Sequence, residues 1–148
     1  MTEAPSKVRQ NYYAILTAAV ACFALEAGWY TVFLQPWLNG IGRTMAELTS
    51  PGAPNPAFQY AIALIASAVL AAAISRVTQV SGPQTALRGM KVAAMLWVGF
   101  VLTTITTEYV FEVRPLSLYA INEGFWLLGM IIMGAIVGAW KRKQKAMA

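Results

Sequence analysis

The chain has 148 residues, of which 58% are hydrophobic and only 11% charged; its net charge is +5, and it holds one Cys and no His. A soluble domain carries about 25% charge, so this composition excludes an ordinary water-soluble fold. Without His the commonest metal ligand and neutral-pH proton carrier is missing, and a single Cys rules out an internal disulfide or a multi-Cys metal site.

The first eleven residues are polar, and Pro5 discourages an early helix. Four apolar stretches then follow, at residues 12–34, 58–78, 87–107 and 118–140. Each is about 20 residues or more, enough to cross a ~30 Å hydrocarbon layer at 1.5 Å per residue. The pattern predicts an all-α integral membrane four-helix bundle, with the whole chain forming one four-span domain. The first stretch runs well past Cys22, too far for a typical signal-peptide core. It is therefore predicted to stay as a span, with Cys22 a small packing or lipid-facing residue.

Tyr12 and Tyr13 open the first span, and Trp29, Tyr30, Phe33 and Trp37 close it, as interfacial aromatic belts do. Pro36 is a predicted stop or kink. In the following loop, a short interfacial helix is expected within residues 38–48, with Thr44 as N-cap and Glu47 at capping-box spacing. Residues 50–56 hold three prolines and a glycine and read as a rigid connector. The loop as a whole reads as a tether over the bundle mouth.

Small residues set the expected packing. Ala63, Ser67, Ala71 and Ser75 recur every four residues in the second span, Gly99, Thr103 and Thr107 in the third, and Gly134 and Gly138 in the fourth. Lipid gives helices no hydrophobic reason to associate, so close backbone approach at small residues takes that role. These stripes are predicted to hold the four helices together, with homodimerisation as the alternative use. Ser81-Gly82-Pro83 signals a turn, making spans two and three antiparallel neighbours.

Charge placement orients the chain. With four spans, Lys7, Arg9, Arg76, Arg88, Lys91, Lys141, Arg142, Lys143 and Lys145 share one side, and only Arg43 and Arg114 the other. The positive-inside rule then predicts both termini in the cytoplasm. Because the basic residues flank spans, they point to anionic lipid, not nucleic acid.

The carboxylates mirror this asymmetry. Glu26, Glu47, Glu108, Glu112 and Glu123 all fall in the half opposite the basic tails. Glu26 lies about nine residues inside its span, roughly 13 Å deep. Glu123 sits beside Asn122 near the start of span four, and Glu108 ends span three. Glu26, Glu108, Asn122 and Glu123 form the candidate intramembrane polar site, with three helices aiming carboxyls into one pocket. An ionisable group inside a membrane is costly and is by default a functional hypothesis. The structural alternative has Glu26 bonded to Tyr30 or to a Thr of span three, and Arg43 or Arg114 neutralising the other carboxylates. No nucleophile–base pair, phosphate-binding loop or metal-ligand cluster is present in the sequence, and no cofactor is expected.

The segment from Glu26 to Trp37 reads Glu-Ala-Gly-Trp-Tyr-Thr-Val-Phe-Leu-Gln-Pro-Trp. It resembles the bacterial family called domain of unknown function 1761, whose small four-span members end their first helix in a Gly-x-Trp-Tyr-like motif, then a Phe, then a Trp. Gly42 to Leu48 is similar to that family's threonine-to-acidic segment, and Asn122 with Gly134 fits more loosely. Leu34-Gln35-Pro36 departs from the Phe-Gly-Lys-like stretch common there. The resemblance implies the four-span layout and no activity. On the residues themselves, Gly28 is expected to permit close helix approach, and the aromatic motif to cap the acidic pocket or dock a partner.

Together these features predict a multi-pass protein of the bacterial cytoplasmic membrane that is not an enzyme. It is expected to be a structural or interaction protein, as a homo-oligomer or as an accessory subunit of a larger membrane assembly, surrounded by membrane lipids. The alternative is a small proton- or cation-coupled transporter or channel using the intramembrane carboxylates.

Overall fold

The structure, a computed structural model, describes residues 10–140; Lys7 and Arg9, and the basic run 141–145, lie outside the described residues. Among the described residues all regular structure is helical, and four helices are long and apolar enough to cross a membrane. They are α1 (Tyr12–Val32), α4 (Pro56–Val80), the continuous segment Ala86–Phe111, and α7 (Leu116–Ala139). The third is not uniform. It consists of α5 (Ala86–Leu96), a π-turn (Trp97–Leu102) and α6 (Thr103–Phe111).

Local chemistry sets most helix ends. Asn11 caps α1 by accepting from the Ala14 N–H, and Asn55 caps α4 ahead of Pro56, which needs no intrahelical donor at that position. Thr85 caps α5. The break between α1 and α2 (Leu34–Ile41) falls at Phe33 rather than at Pro36. The proline ring clashes with the carbonyl four residues back and leaves it without a donor, which places the break at Val32–Phe33. Two short helices therefore replace the single one expected in the loop. The second, α3 (Met45–Leu48), carries the capping box: Glu47 N–H donates to Thr44 Oγ1, and Thr44 N–H to Glu47 Oε2 at 2.7 Å.

α2 ends in a Schellman arrangement, with Gly42 N–H on Asn39 O, Arg43 N–H on Leu38 O, and Gly42 left-handed at φ 64°. The same pattern closes α6, where Val113 N–H donates to Val110 O and Arg114 N–H to Tyr109 O. Here the left-handed position, at φ 52°, is taken by a β-branched valine, a strained choice.

α7 is the central helix and touches α1, α4 and α5. The core gathers around its Phe125, Met130, Met133 and Val137, with Ile15 and Cys22 of α1 and Ile74 of α4. Cys22 is fully buried against Gly129. The tightest seam joins α5 to α7. A Cβ on Gly89 would lie 1.9 Å from the Gly134 carbonyl oxygen, and one on Gly138 would lie 2.3 Å from the Thr85 carbonyl oxygen. Gly134 and Gly138 thus pack backbone on backbone, and Gly89 is the partner the sequence reading missed.

The other stripes divide. Ser67, Ala71 and Ser75 are buried, and Ala63 is half-buried. Gly99, Thr103 and Thr107 are exposed, and nothing approaches within 4 Å of a Cβ placed on Gly99. That stripe does not hold this bundle together, because α6 hangs at the rim and faces outward. Gly28 is likewise open on the surface of α1, so it permits no close approach within the chain.

At the end of the bundle nearest the termini, which we term the basic end, polar side chains tie the helices. Ser75 Oγ donates to Gln10 Oε1 at 2.8 Å, Gln79 Nε2 to Ser75 Oγ at 2.9 Å, and Asn11 Nδ2 to the Trp140 carbonyl at 3.2 Å. Ser75 is therefore a hydrogen-bonding residue as well as a small one. The loop 81–85 is pinned by Arg88, whose guanidinium donates to Ser81 O.

Candidate functional site

The opposite, acidic end holds the polar residues singled out from sequence, but in an unequal arrangement. Trp29 Nε1 donates to the Ile121 carbonyl at 3.0 Å, and Trp29 stacks on Phe33 with ring centroids 4.8 Å apart. Tyr30 packs edge-on to Trp37 and against Phe125. The aromatic motif is thus half-buried mortar between α1 and α7, not only an interfacial belt.

Asn122 bridges two helices. It accepts from the Tyr30 hydroxyl at 2.9 Å and donates through Nδ2 to the Tyr109 hydroxyl at 2.6 Å. Tyr30 therefore donates to Asn122 and not to Glu26. Tyr109, buried and unforeseen from the sequence, packs edge-on to Tyr119 with centroids 5.5 Å apart. The Tyr119 and Thr106 hydroxyls pair at 2.7 Å.

The carboxylates separate into three environments. Glu26 is half-buried on α1, and both it and Glu123 lie within Coulomb range of the Tyr30 hydroxyl. Glu108 is exposed on α6, within Coulomb range of Arg114, and does not join them. The three-helix pocket expected from sequence is a two-helix arrangement, because Glu108 lies on the exposed side of α6 while its neighbour Tyr109 takes the buried side. Arg114 instead pairs with Glu112 and lies over the Tyr109 ring, 5.5 Å from its centroid. The Glu112 hydrogen bond holds the guanidinium even more firmly charged than usual. In the loop, the Thr44 N–H and then its hydroxyl hold the Glu47 carboxyl below the usual range.

Glu123 is the exception. It is 4% exposed, about 10 Å along α7 from Leu116 at helical rise. Both carboxyl oxygens are buried without a hydrogen-bond partner among the described residues. The Trp97 indole faces it from the π-turn, but the geometry stops short of a hydrogen bond, and Trp97 Nε1 is itself buried and unpaired. Native structures leave few such groups, and those they leave call for an explanation. The π-turn belongs to the same feature. The Thr103 and Thr106 hydroxyls donate to the Gly99 and Leu102 carbonyls, at 2.9 and 2.6 Å, as Thr31 and Thr78 do to the fourth residue back in unbroken helices. Such turns cluster at functional sites.

Above Glu123, toward the acidic end, lies an open groove of about 370 Å³ between spans three and four. Thr106, Tyr109, Val110 and Val113 form one wall and Leu116 and Tyr119 the other, with Arg114 at the rim. Tyr119 and Glu123 are one helical turn apart on the same face of α7, but Tyr119 lines the groove and Glu123 does not. Among the described residues no group of three or more Cys, Asp or Glu could hold a metal ion.

The family described as "Protein of unknown function (DUF1761)" matches residues 13–138, nearly the whole chain. The chain belongs to the DUF1761 family. The match spans all four long helices, so the aromatic motif, Asn122, Glu123 and the groove fall inside the DUF1761 region. No curated protein and no solved structure matches this DUF1761 chain.

Proposed function

We propose that this protein is a non-enzymatic, multi-pass component of the bacterial cytoplasmic membrane that works by lateral association, as a homo-oligomer or as an accessory subunit of a larger membrane assembly. The observation that carries this reading is the outward face of the third span. Gly99, Thr103 and Thr107 recur every four residues, are exposed, and lead to exposed Glu108. Small residues at that spacing are the close-approach surface that membrane helices use, and this chain leaves it uncovered. Basic residues on the opposite end support cytoplasmic termini, and the same flanking charge suits lipid headgroups rather than nucleic acid. Gly99→Leu tests the association: with nothing near Gly99, the bundle keeps its stability, while crosslinked oligomer or co-purified partner is lost. A wild-type protein that emerges from mild detergent alone as a monodisperse monomer overturns the reading.

A second reading is favoured by Glu123. A buried, unpaired carboxyl in a membrane bundle is the kind of group that serves ion pathways, and it supports a small proton- or cation-coupled transporter or channel. A four-span unit is small for that task, so this reading also calls for an oligomer. Proton- or cation-linked flux in proteoliposomes that disappears in Glu123→Gln would support it, and equal flux in the variant would remove it.

A further inference from the structure

We infer that Glu123 is a proton-binding site: its buried carboxyl holds a proton at neutral pH, and the ion that the second reading above assigns to it is a proton and not a metal cation. The inference rests on that reading for its purpose and on the surroundings of Glu123 for its chemistry. Glu123 is 4% exposed, and both carboxyl oxygens are buried without a hydrogen-bond partner among the described residues. An ionised carboxylate in such a place has lost its hydration and received nothing in exchange. The cost is large enough that an isolated buried acid takes up a proton instead.

No described side chain offers a counter-charge. Arg114 pairs with Glu112, Arg43 lies within Coulomb range of Glu47, Arg88 donates to Ser81 O, and Arg76 and Lys91 belong to the basic end. The titratable groups that do come near are on α1 and α6: the Tyr30 hydroxyl lies within Coulomb range of Glu26, Tyr109 and Glu123. Tyr60 of α4 turns instead to Phe23. None of these carries positive charge.

A metal ion lacks both ligands and room. Hard metal ions take about six oxygen ligands, and the oxygens adjacent in sequence are committed: Asn122 Oδ1 accepts from the Tyr30 hydroxyl, and the Ile121 carbonyl accepts from Trp29 Nε1. Trp97 Nε1 makes no hydrogen bond and, as a donor only, ligates no cation. The groove between spans three and four is not lined by Glu123, so it offers no space for an ion at the carboxyl. A proton is the one cation that needs neither a ligand shell nor a cavity, because it becomes the carboxyl's own O–H.

Infrared spectroscopy of the full chain in ether-lipid vesicles, which carry no carbonyl of their own, reads the protonation directly. At neutral pH the wild type should show a protonated-carboxyl stretch that shifts down in D2O and is lost in Glu123→Gln. Glu108→Gln, on the exposed side of α6, should leave that stretch in place. Glu123→Leu, used should the amide misfold, should lose it as well. Identical spectra of wild type and both Glu123 variants in this region overturn the inference. Proteoliposome flux separates the two levels. Proton uptake that persists when sodium and potassium are replaced by N-methylglucamine, and stops in Glu123→Gln, supports both. The stretch without any flux leaves the proton site standing and sinks the transport reading. Sodium- or potassium-dependent flux that is lost in Glu123→Gln, with no such stretch, keeps the transport reading and sinks the proton assignment.

Discussion

Replacing Gly89 with alanine tests the packing account where its geometry is most demanding. The added Cβ would sit 1.9 Å from the Gly134 carbonyl oxygen and 3.1 Å from the Gly138 Cα. Close carbon–oxygen contacts in proteins run at about 3.3 Å, so α5 and α7 must part by roughly 1.4 Å along that line. Both atoms met are backbone, so no side-chain rotation relieves the clash. Overpacking of this kind costs about 1–3 kcal/mol, and here the upper end is expected, near 3 kcal/mol. Reversible unfolding in mixed micelles, followed by circular dichroism, reads the difference directly. Gly28→Ala is the internal control, since nothing lies within 4 Å of its Cβ; replacing a helix-interior glycine there should be neutral or stabilise by about 0.5–1 kcal/mol. A Gly89→Ala variant as stable as wild type would refute the backbone-on-backbone seam.

Three further outcomes follow from particular residues. Val113→Gly should stabilise by about 1 kcal/mol, because it relieves a left-handed β-branched residue, while Gly42→Val should destabilise by a similar amount; unchanged unfolding midpoints for both would contradict the two Schellman endings. Asn122→Ala should cost about 1–2 kcal/mol by stranding the Tyr30 and Tyr109 hydroxyls, and Tyr30→Phe combined with it should cost less than the two separately; strict additivity would deny the bridge. The Glu47 carboxyl has a depressed folded pKa, so its contribution to α3 is present above the ordinary carboxyl pKa of about 4.3 and is lost as pH falls through the folded value. Amide exchange at Thr44, whose N–H donates to that carboxylate, should lose protection on acidification after correction for its intrinsic pH dependence, and Glu47→Gln should abolish that pH dependence.

The spans were legible because length and apolarity alone decide membrane crossing, and the Thr44–Glu47 capping box because its spacing is local. The acidic site was legible only in part. Periodicity places Gly99, Thr103 and Thr107 on one face but cannot say whether that face meets a helix or lipid, since both are apolar surroundings; the structure turns it outward. Gly89 escaped notice for the converse reason: it stands alone in its helix, and its role appears only when Gly134 arrives from 45 positions along the chain. Glu108 was grouped with Glu123 by depth, whereas the side of the helix, and not depth, decides which carboxyl is buried. Tyr109 and Trp97 carry no local sequence signal, and their polar atoms acquire meaning only from Asn122 and Glu123 on another helix. The π-turn has no sequence rule to betray it, since threonines bonded like 103 and 106 also sit in unbroken helices at 31 and 78.

The layout itself is open to one direct measurement. Single cysteines placed at Ser50, in the loop between spans one and two, and at Ser81, in the loop between spans two and three, can be treated with a membrane-impermeant maleimide on intact cells, the native Cys22 being buried. The four-span arrangement with cytoplasmic termini predicts labelling of Ser50→Cys on intact cells and of Ser81→Cys only after lysis. Labelling of both from outside, or of Ser81→Cys alone, would contradict it.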